Sequence, residues 1–155
     1  GLFKQNKLTL GVQCHVKKIK VELDDEPGKQ YSVKLQIWDF AGEKRFRFFL
    51  PSYCRGSQGG LFLYDITHKP SLENIDEWTE LVYENAGVVP VLLVGAKADL
   101  EDQREVSREE AMEYARSMDL AGFVETSSKT GMNVDATFKT ITKLMLKTML
   151  EEESA

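Results

Sequence analysis

The stretch Leu35-Gln36-Ile37-Trp38-Asp39-Phe40-Ala41-Gly42-Glu43 decides how the chain is read. An apolar strand delivers an acid, Asp39, and a turn hinged on Gly42 follows at once. Open α/β sheets bind ligands at the carboxyl ends of their strands, so this pattern puts a carboxylate where a ligand would sit. Gly42 gives the next segment the backbone freedom to close over it. A single Asp-x-x-Gly is a common pattern, and its meaning comes from the rest of the chain.

Upstream, residues 12–23 alternate as a strand, with Val12, Cys14 and Val16 and then Ile19, Val21 and Leu23 at the apolar positions. The turn Asp24-Asp25-Glu26-Pro27-Gly28-Lys29 joins this strand in a hairpin to residues 31–38. Downstream, residues 60–65 and 88–95 are short continuous apolar runs, which suit parallel strands covered on both faces. Between them Ser71 is placed to cap a helix carrying Leu72, Ile75, Trp78, Thr79 and Val82 at helical spacing. Ser107-Arg108-Glu109-Glu110 is a capping box that opens a helix through Tyr114 and Met118. Residues 122–126 form another strand, and Asn133 or Asp135 opens a last helix lined by Phe138, Ile141, Leu144 and Met145. The order predicts an α/β fold: a doubly wound, mostly parallel sheet with one antiparallel edge strand. With no linker, repeat or low-complexity segment, residues 1–155 read as a single domain.

Composition narrows the function. A content of 42% hydrophobic and 29% charged residues is that of an ordinary globular domain. A net charge of −5 argues against nucleic acid as a partner, because phosphate contacts need a basic surface. Cys14 and Cys54 fit no metal-ligand spacing and read as reduced thiols. No apolar run approaches the ~20 residues of a transmembrane helix. The tail Glu151-Glu152-Glu153-Ser154-Ala155 carries no cysteine for a lipid. A cytoplasmic location is expected, with any membrane association peripheral. His15 and His68 have no ligand partner at metal spacing and read as surface residues, while Trp78 lies on the apolar stripe of its helix.

Three loops at strand ends carry unusual residues: Asp39-Phe40-Ala41-Gly42-Glu43, Gly95-Ala96-Lys97-Ala98-Asp99-Leu100 and Glu125-Thr126-Ser127-Ser128-Lys129-Thr130-Gly131. Together with Lys7-Leu8-Thr9-Leu10-Gly11-Val12, Arg45-Phe46-Arg47, Ser52-Tyr53-Cys54-Arg55-Gly56 and Leu63-Tyr64-Asp65-Ile66-Thr67, they make the chain resemble a Ras-type small GTPase, nearest the Rab branch. The likeness runs in order along essentially the whole chain. It implies a guanine-nucleotide switch that binds GTP or GDP with Mg²⁺ and hydrolyses GTP.

By that resemblance Asp39 would hold Mg²⁺ through water, and Thr9 would be the switch I threonine that closes on the ion. Gly42, as the switch II hinge, would donate its backbone N–H to the γ-phosphate, and Glu43 would stand beside the attacking water; these two are the catalytic positions. Asp99 would accept hydrogen bonds from guanine N1 and its 2-amino group, and the stem of Lys97 would cover the base plane. Backbone N–H groups around Ser128 would read guanine O6, with Ser127 and Lys129 bracing the loop. Phe46, Phe48, Phe49 and Tyr53 divide between two readings, core or the hydrophobic switch surface offered to protein effectors and regulators.

The chain departs from the family pattern at three places. No Gly-x-x-x-x-Gly-Lys-[Ser/Thr] phosphate loop occurs in it. Residues 1–6 resemble the end of the family's first helix, so a strand–loop–helix unit of about 35 residues is expected in front of them. On this reading the chain is the C-terminal part of such a domain, from switch I onward. The absent strand lies mid-sheet in the family, so residues 31–38 and 60–65 would face each other with unpaired edges, to be filled by a missing N-terminal segment or by another chain. Glu43 replaces the usual Gln; a carboxylate accepts from water but cannot donate to the phosphoryl group, and slow intrinsic hydrolysis is expected. Ala96 replaces the usual Asn, which predicts weaker binding with guanine preference kept through Asp99. The alternative reading is an interaction module with the GTPase shape and little or no turnover.

Overall fold

The computed structural model describes residues 12–40, 48 and 50–154. Among the described residues, five strands and four α-helices run β1 (Val12–Glu22), β2 (Gln30–Phe40), α1 (Leu50–Cys54), β3 (Gly60–Asp65), α2 (Ile75–Ala86), β4 (Val91–Ala96), α3 (Arg108–Ser117), β5 (Gly122–Glu125) and α4 (Val134–Ser154). β1 and β2 form an antiparallel pair; β3, β4 and β5 form a parallel sheet in that order. The α/β expectation holds, with a three-stranded parallel sheet and an antiparallel pair; among the described residues no ladder joins β2 to β3.

The parallel sheet is doubly wound because β4 is apolar on both faces. Leu93 packs with Tyr64, Ile66, Leu72, Ile75, Val106, Ala111 and Ala115, under α2 and α3. Leu92 and Val94 point the other way, to Ile141, with Leu144 and Met145 of α4 beside them. A run buried on both faces cannot alternate polar and apolar residues, which is why this strand reads as continuous hydrophobics. It starts at Val91, since Pro90 has no N–H for the ladder; Pro90 gives only its carbonyl, to the N–H of Gly60 at 3.0 Å.

Two local expectations are corrected. Ser71 does not cap α2. It lies inside the 3₁₀ turn Lys69–Leu72, where its Oγ accepts from the Asp65 N–H at 2.8 Å and donates to the His68 carbonyl at 2.7 Å. Pro70 suits the first turn of that short helix, and the α-helix begins only after Asn74. In β1 the more covered face carries Gln13, His15, Lys17, Ile19 and Val21, while Cys14 and Val16 are exposed. Lys17 tolerates the covered side by setting its ammonium over the Phe138 ring, 5.2 Å from the centroid. Other expectations hold: Ser107 Oγ caps α3 by accepting from the Glu110 N–H at 3.0 Å, His68 is exposed, and Trp78 is half-buried.

Tyr64 and Gly95 face each other in register across β3 and β4. The Tyr64 hydroxyl is buried without a hydrogen-bond partner among the described residues, and burial raises its pKa. A Cβ on Gly95 would come within 2.7 Å of that oxygen and 2.9 Å of the ring carbon bearing it. Gly95→Ala is therefore expected to cost about 1–3 kcal/mol through overpacking. Tyr64→Phe removes the orphan hydroxyl and part of the clash, so the alanine should cost less in that background. Urea unfolding of the four-member cycle measures the coupling, and strict additivity would contradict the contact.

Candidate functional site

β4 and β5 are adjacent and parallel, so the loops after Ala96 and Glu125 leave the sheet side by side at its carboxyl edge. The backbone ties them together. The Thr126 N–H donates to the Gly95 carbonyl at 2.8 Å, and the Ala98 N–H donates to the Thr126 carbonyl at 2.9 Å. Ser127, fully buried, then donates its Oγ–H to Asp99 Oδ1 at 2.7 Å and accepts from the Thr130 N–H at 3.1 Å. Asp99 is exposed, and its Oδ2 has no hydrogen-bond partner among the described residues. The backbone N–H groups of Ser128 and Lys129, both exposed, likewise have no partner among the described residues. One edge thus presents an open carboxylate oxygen beside backbone donors, a pairing suited to a planar heterocycle that donates on one side and accepts on another.

Lys97 lies in the same loop with φ of 66°, a left-handed conformation that costs a β-carbon residue of order 1 kcal/mol and tends to persist at functional sites. Its ammonium sits 2.9 Å from Asp65 Oδ2, at the end of β3. The Thr67 backbone N–H and hydroxyl donate to the other Asp65 oxygen at 2.9 and 2.6 Å. Burial pushes the Asp65 carboxyl up, but the bonds from Thr67 and Lys97 outweigh it and leave it below the usual range. Three consecutive strand ends therefore contribute to one edge.

Beneath the two loops lies a cluster that the sequence reading missed. Glu125, 2% exposed, accepts from Arg104 at both oxygens, 2.7 and 2.8 Å, and from Arg108 at 3.2 Å. Its carbonyl accepts from the Asn133 side chain at 2.9 Å, closing the base of the loop ahead of α4. The hydrogen bonds to Glu125 and then to Glu101 raise the pKa of Arg104 above the usual guanidinium value. One signal was available: Gly122-Phe123-Val124-Glu125 puts an acid at the end of a buried strand, and a buried charge requires a partner.

Asp39 is half-buried near the end of β2, opposite Gln13. Burial raises its carboxyl pKa, with the charge of His15 pulling weakly the other way, and no donor reaches it among the described residues. A desolvated carboxylate short of donors fits a hard divalent cation. Among the described residues no three His, Cys, Asp or Glu side chains converge as a metal cage. Mg²⁺ is commonly held by one or two carboxylates with waters and phosphates, so a site on Asp39 would not need such a cage. Thr9, Gly42 and Glu43 lie outside the described residues, as do Phe46 and Phe49. Of the aromatic cluster, Phe48 is 84% exposed, whereas Tyr53 packs on Trp38 and Phe40 with ring centroids 5.1 and 5.7 Å apart. No described helix is long and apolar enough to cross a membrane.

Comparison with known proteins agrees with this layout. The sequence model of the Ras family matches residues 2–147. The Ras-related protein Rab-13 of Rattus norvegicus is 39% identical over 142 residues, covering 90% of this chain and 66% of the relative. The GTP-binding protein ypt2 of Schizosaccharomyces pombe is 40% identical over 147 residues, covering 94% and 70%. The Ras-related protein RABA4b of Arabidopsis thaliana is 35% identical over 151 residues, covering 97% and 64%. The chain spans about two thirds of the length of these relatives.

Proposed function

This chain belongs to the Ras family, in its Rab branch, and on that premise we propose that it binds a guanine nucleotide as a molecular switch. The observation that carries the reading is the bond from Ser127 to Asp99, which joins two loops 28 residues apart and leaves one carboxylate oxygen open at a sheet edge. Asp99 accepts from guanine N1–H and the 2-amino group. The N–H groups around Ser128 donate to O6, the stem of Lys97 lies along the base plane, and Lys129 braces the loop. Rotation of Lys97 onto a base requires its ammonium to leave Asp65.

Asp39 would hold Mg²⁺ through water and Thr9 would join it when a triphosphate is bound, and the charge supplied there would offset that of the phosphate oxygens. Gly42 supplies the N–H and hinge that report the γ-phosphate, and Glu43 accepts from the attacking water, so hydrolysis is slow and Mg²⁺-dependent. The N–H cradle for the phosphates is assigned to a segment outside this chain, docking between β2 and β3 from a longer protein or from another chain. Protein effectors or regulators engage the switch regions and the surface around Phe48, with Phe46, Phe49 and Tyr53 contributing. The location is cytoplasmic, with any membrane contact peripheral.

Denaturing the purified full-length protein and identifying the released nucleotide by chromatography tests the proposal. Near-stoichiometric GDP or GTP supports it, and an empty, folded protein overturns it. Ala96→Asn restores a polar side chain at the end of β4 and is expected to tighten guanine-nucleotide binding by about 10- to 100-fold, the range of a regained buried hydrogen bond. Titration with a fluorescent GDP analogue measures this, and unchanged affinity would show that Ala96 is not a weak point.

A second reading is an interaction module of GTPase shape without turnover. Ala96, half-buried at the end of β4 and offering only a methyl group, favours it, as does the carboxylate of Glu43 in place of an amide. An empty protein that still captured partners through the Phe48 surface would establish it.

A further inference from the structure

Arg104 directs four of its five N–H donors to Glu101 and Glu125, which flank the two loops above it. Its Nε–H is shared between Glu101 Oε1 at 2.9 Å and Oε2 at 3.0 Å, and one Nη2–H reaches Glu101 Oε2 at 2.8 Å. The other Nη2–H reaches Glu125 Oε1 at 2.8 Å, and the two Nη1–H groups reach Glu125 Oε2 at 2.7 Å and the Val106 carbonyl at 2.8 Å. A guanidinium has five N–H donors, and all five are used. Glu101 opens the 3₁₀ turn Glu101–Gln103, directly after Asp99 and Leu100. Glu125 is the last residue of β5, directly before Thr126 and Ser127.

The clamp is itself anchored. The N–H groups of Glu105 and Val106 both donate to the Ile66 carbonyl, at 2.7 and 3.1 Å, fixing the Arg104 segment to the end of β3. The Arg104 side chain is only 14% exposed, so its bonds compete little with water. An ordinary surface pair would hold one residue to one partner. Here one rigid fork holds the loop bearing Asp99 to the loop bearing Ser127, from below, while the Ser127–Asp99 bond joins them from above.

We propose that Arg104 is a positioning residue that couples the two loops, so that discrimination at the base edge depends on this one guanidinium. The inference rests on the guanine-nucleotide reading above and adds a residue that touches no ligand. Its strength lies in the planar fork: lysine keeps the charge but offers three donors from one point and cannot bridge the same set.

The test compares GDP with inosine diphosphate, which lacks the 2-amino group, on the full-length protein. Two variants are used. Arg104→Lys removes the fork, and Glu101→Ala cuts only the tie to the Asp99 loop, at an exposed side chain whose loss leaves the core intact. Both are expected to lower the GDP-over-IDP preference by about tenfold or more, because the acceptor pair no longer meets both N–H groups. Arg116→Ala, which breaks an exposed pair with Glu113 elsewhere on α3, leaves the preference unchanged. A merely structural Arg104 would lower the melting temperature and leave the ratio alone. Folded variants with the parental ratio overturn the proposal. If the parent binds neither nucleotide, the functional reading fails by itself, and amide hydrogen exchange then decides the coupling. The N–H groups of Ala98 and Thr130 should exchange faster in Glu101→Ala than in the parent, and equal rates at both positions overturn the clamp.

Discussion

Asp99→Asn is expected to exchange a guanine preference for a xanthine preference, with guanine-nucleotide affinity falling by about 100-fold or more. The argument starts from the two oxygens of Asp99. Oδ1 is occupied by the Ser127 hydroxyl at 2.7 Å, and Oδ2 is open. Ser127 also accepts from the Thr130 N–H, so its own proton is directed at position 99 and requires an acceptor there. Asparagine therefore keeps its carbonyl toward Ser127 and turns its NH₂ toward the base. Guanine presents N–H donors on that edge, so donor would meet donor and both would be left unsatisfied. Xanthine carries an oxygen in place of the 2-amino group and accepts the new donor. Competitive titration with GDP and XDP measures the exchange. A parental ratio of the two affinities would mean that position 99 does not face the base. Ser127→Ala in the Asp99→Asn background frees the amide to flip, and the xanthine preference should then fall.

The strands and helices were readable because each depends on nearby residues. Continuous apolar runs located β3 and β4, the Pro-Gly turn located the hairpin, and Ser107 with Glu110 located the start of α3. Ser71 failed as a cap because the competing partners of its hydroxyl, Asp65 and His68, lie at the end of β3 and in the turn after it, and cap preference alone cannot rank them. The face of β1 was misjudged for a related reason. Its covered side is set by α4, more than a hundred residues later, where Phe138 accommodates Lys17. The same division holds at the site. The resemblance to the family marked Lys97, Asp99, Ser127, Ser128 and Lys129, but which groups touch depends on β4 lying beside β5. For Arg104 the local spacing to Glu101 shows only a surface pair, since its buried partner Glu125 is 21 residues away on another element.

Glu125→Gln is expected to destabilise the folded chain by about 3 kcal/mol, near the lower end of what breaking a buried pair costs. Glu125 is 2% exposed, so the solvent screening that reduces surface pairs to about 0–1 kcal/mol is missing here. Gln keeps the shape and one acceptor oxygen but removes the charge that balances Arg104, and it turns an NH₂ donor toward a guanidinium with no acceptor to offer. The loss stays near the lower end because Arg104 retains Glu101, and Arg108 is exposed enough to return to water. A folded-state margin of about 5–15 kcal/mol makes a loss of this size plain in urea unfolding. The double variant Arg104→Met with Glu125→Leu should recover most of it, since a well-packed apolar pair avoids desolvating two charges. Recovery of stability without recovery of the GDP-over-IDP preference would separate the two roles of the cluster. The apolar pair can hold the sheet end together, but it gives Glu101 no donor, and the Asp99 loop loses its tie to the Ser127 loop.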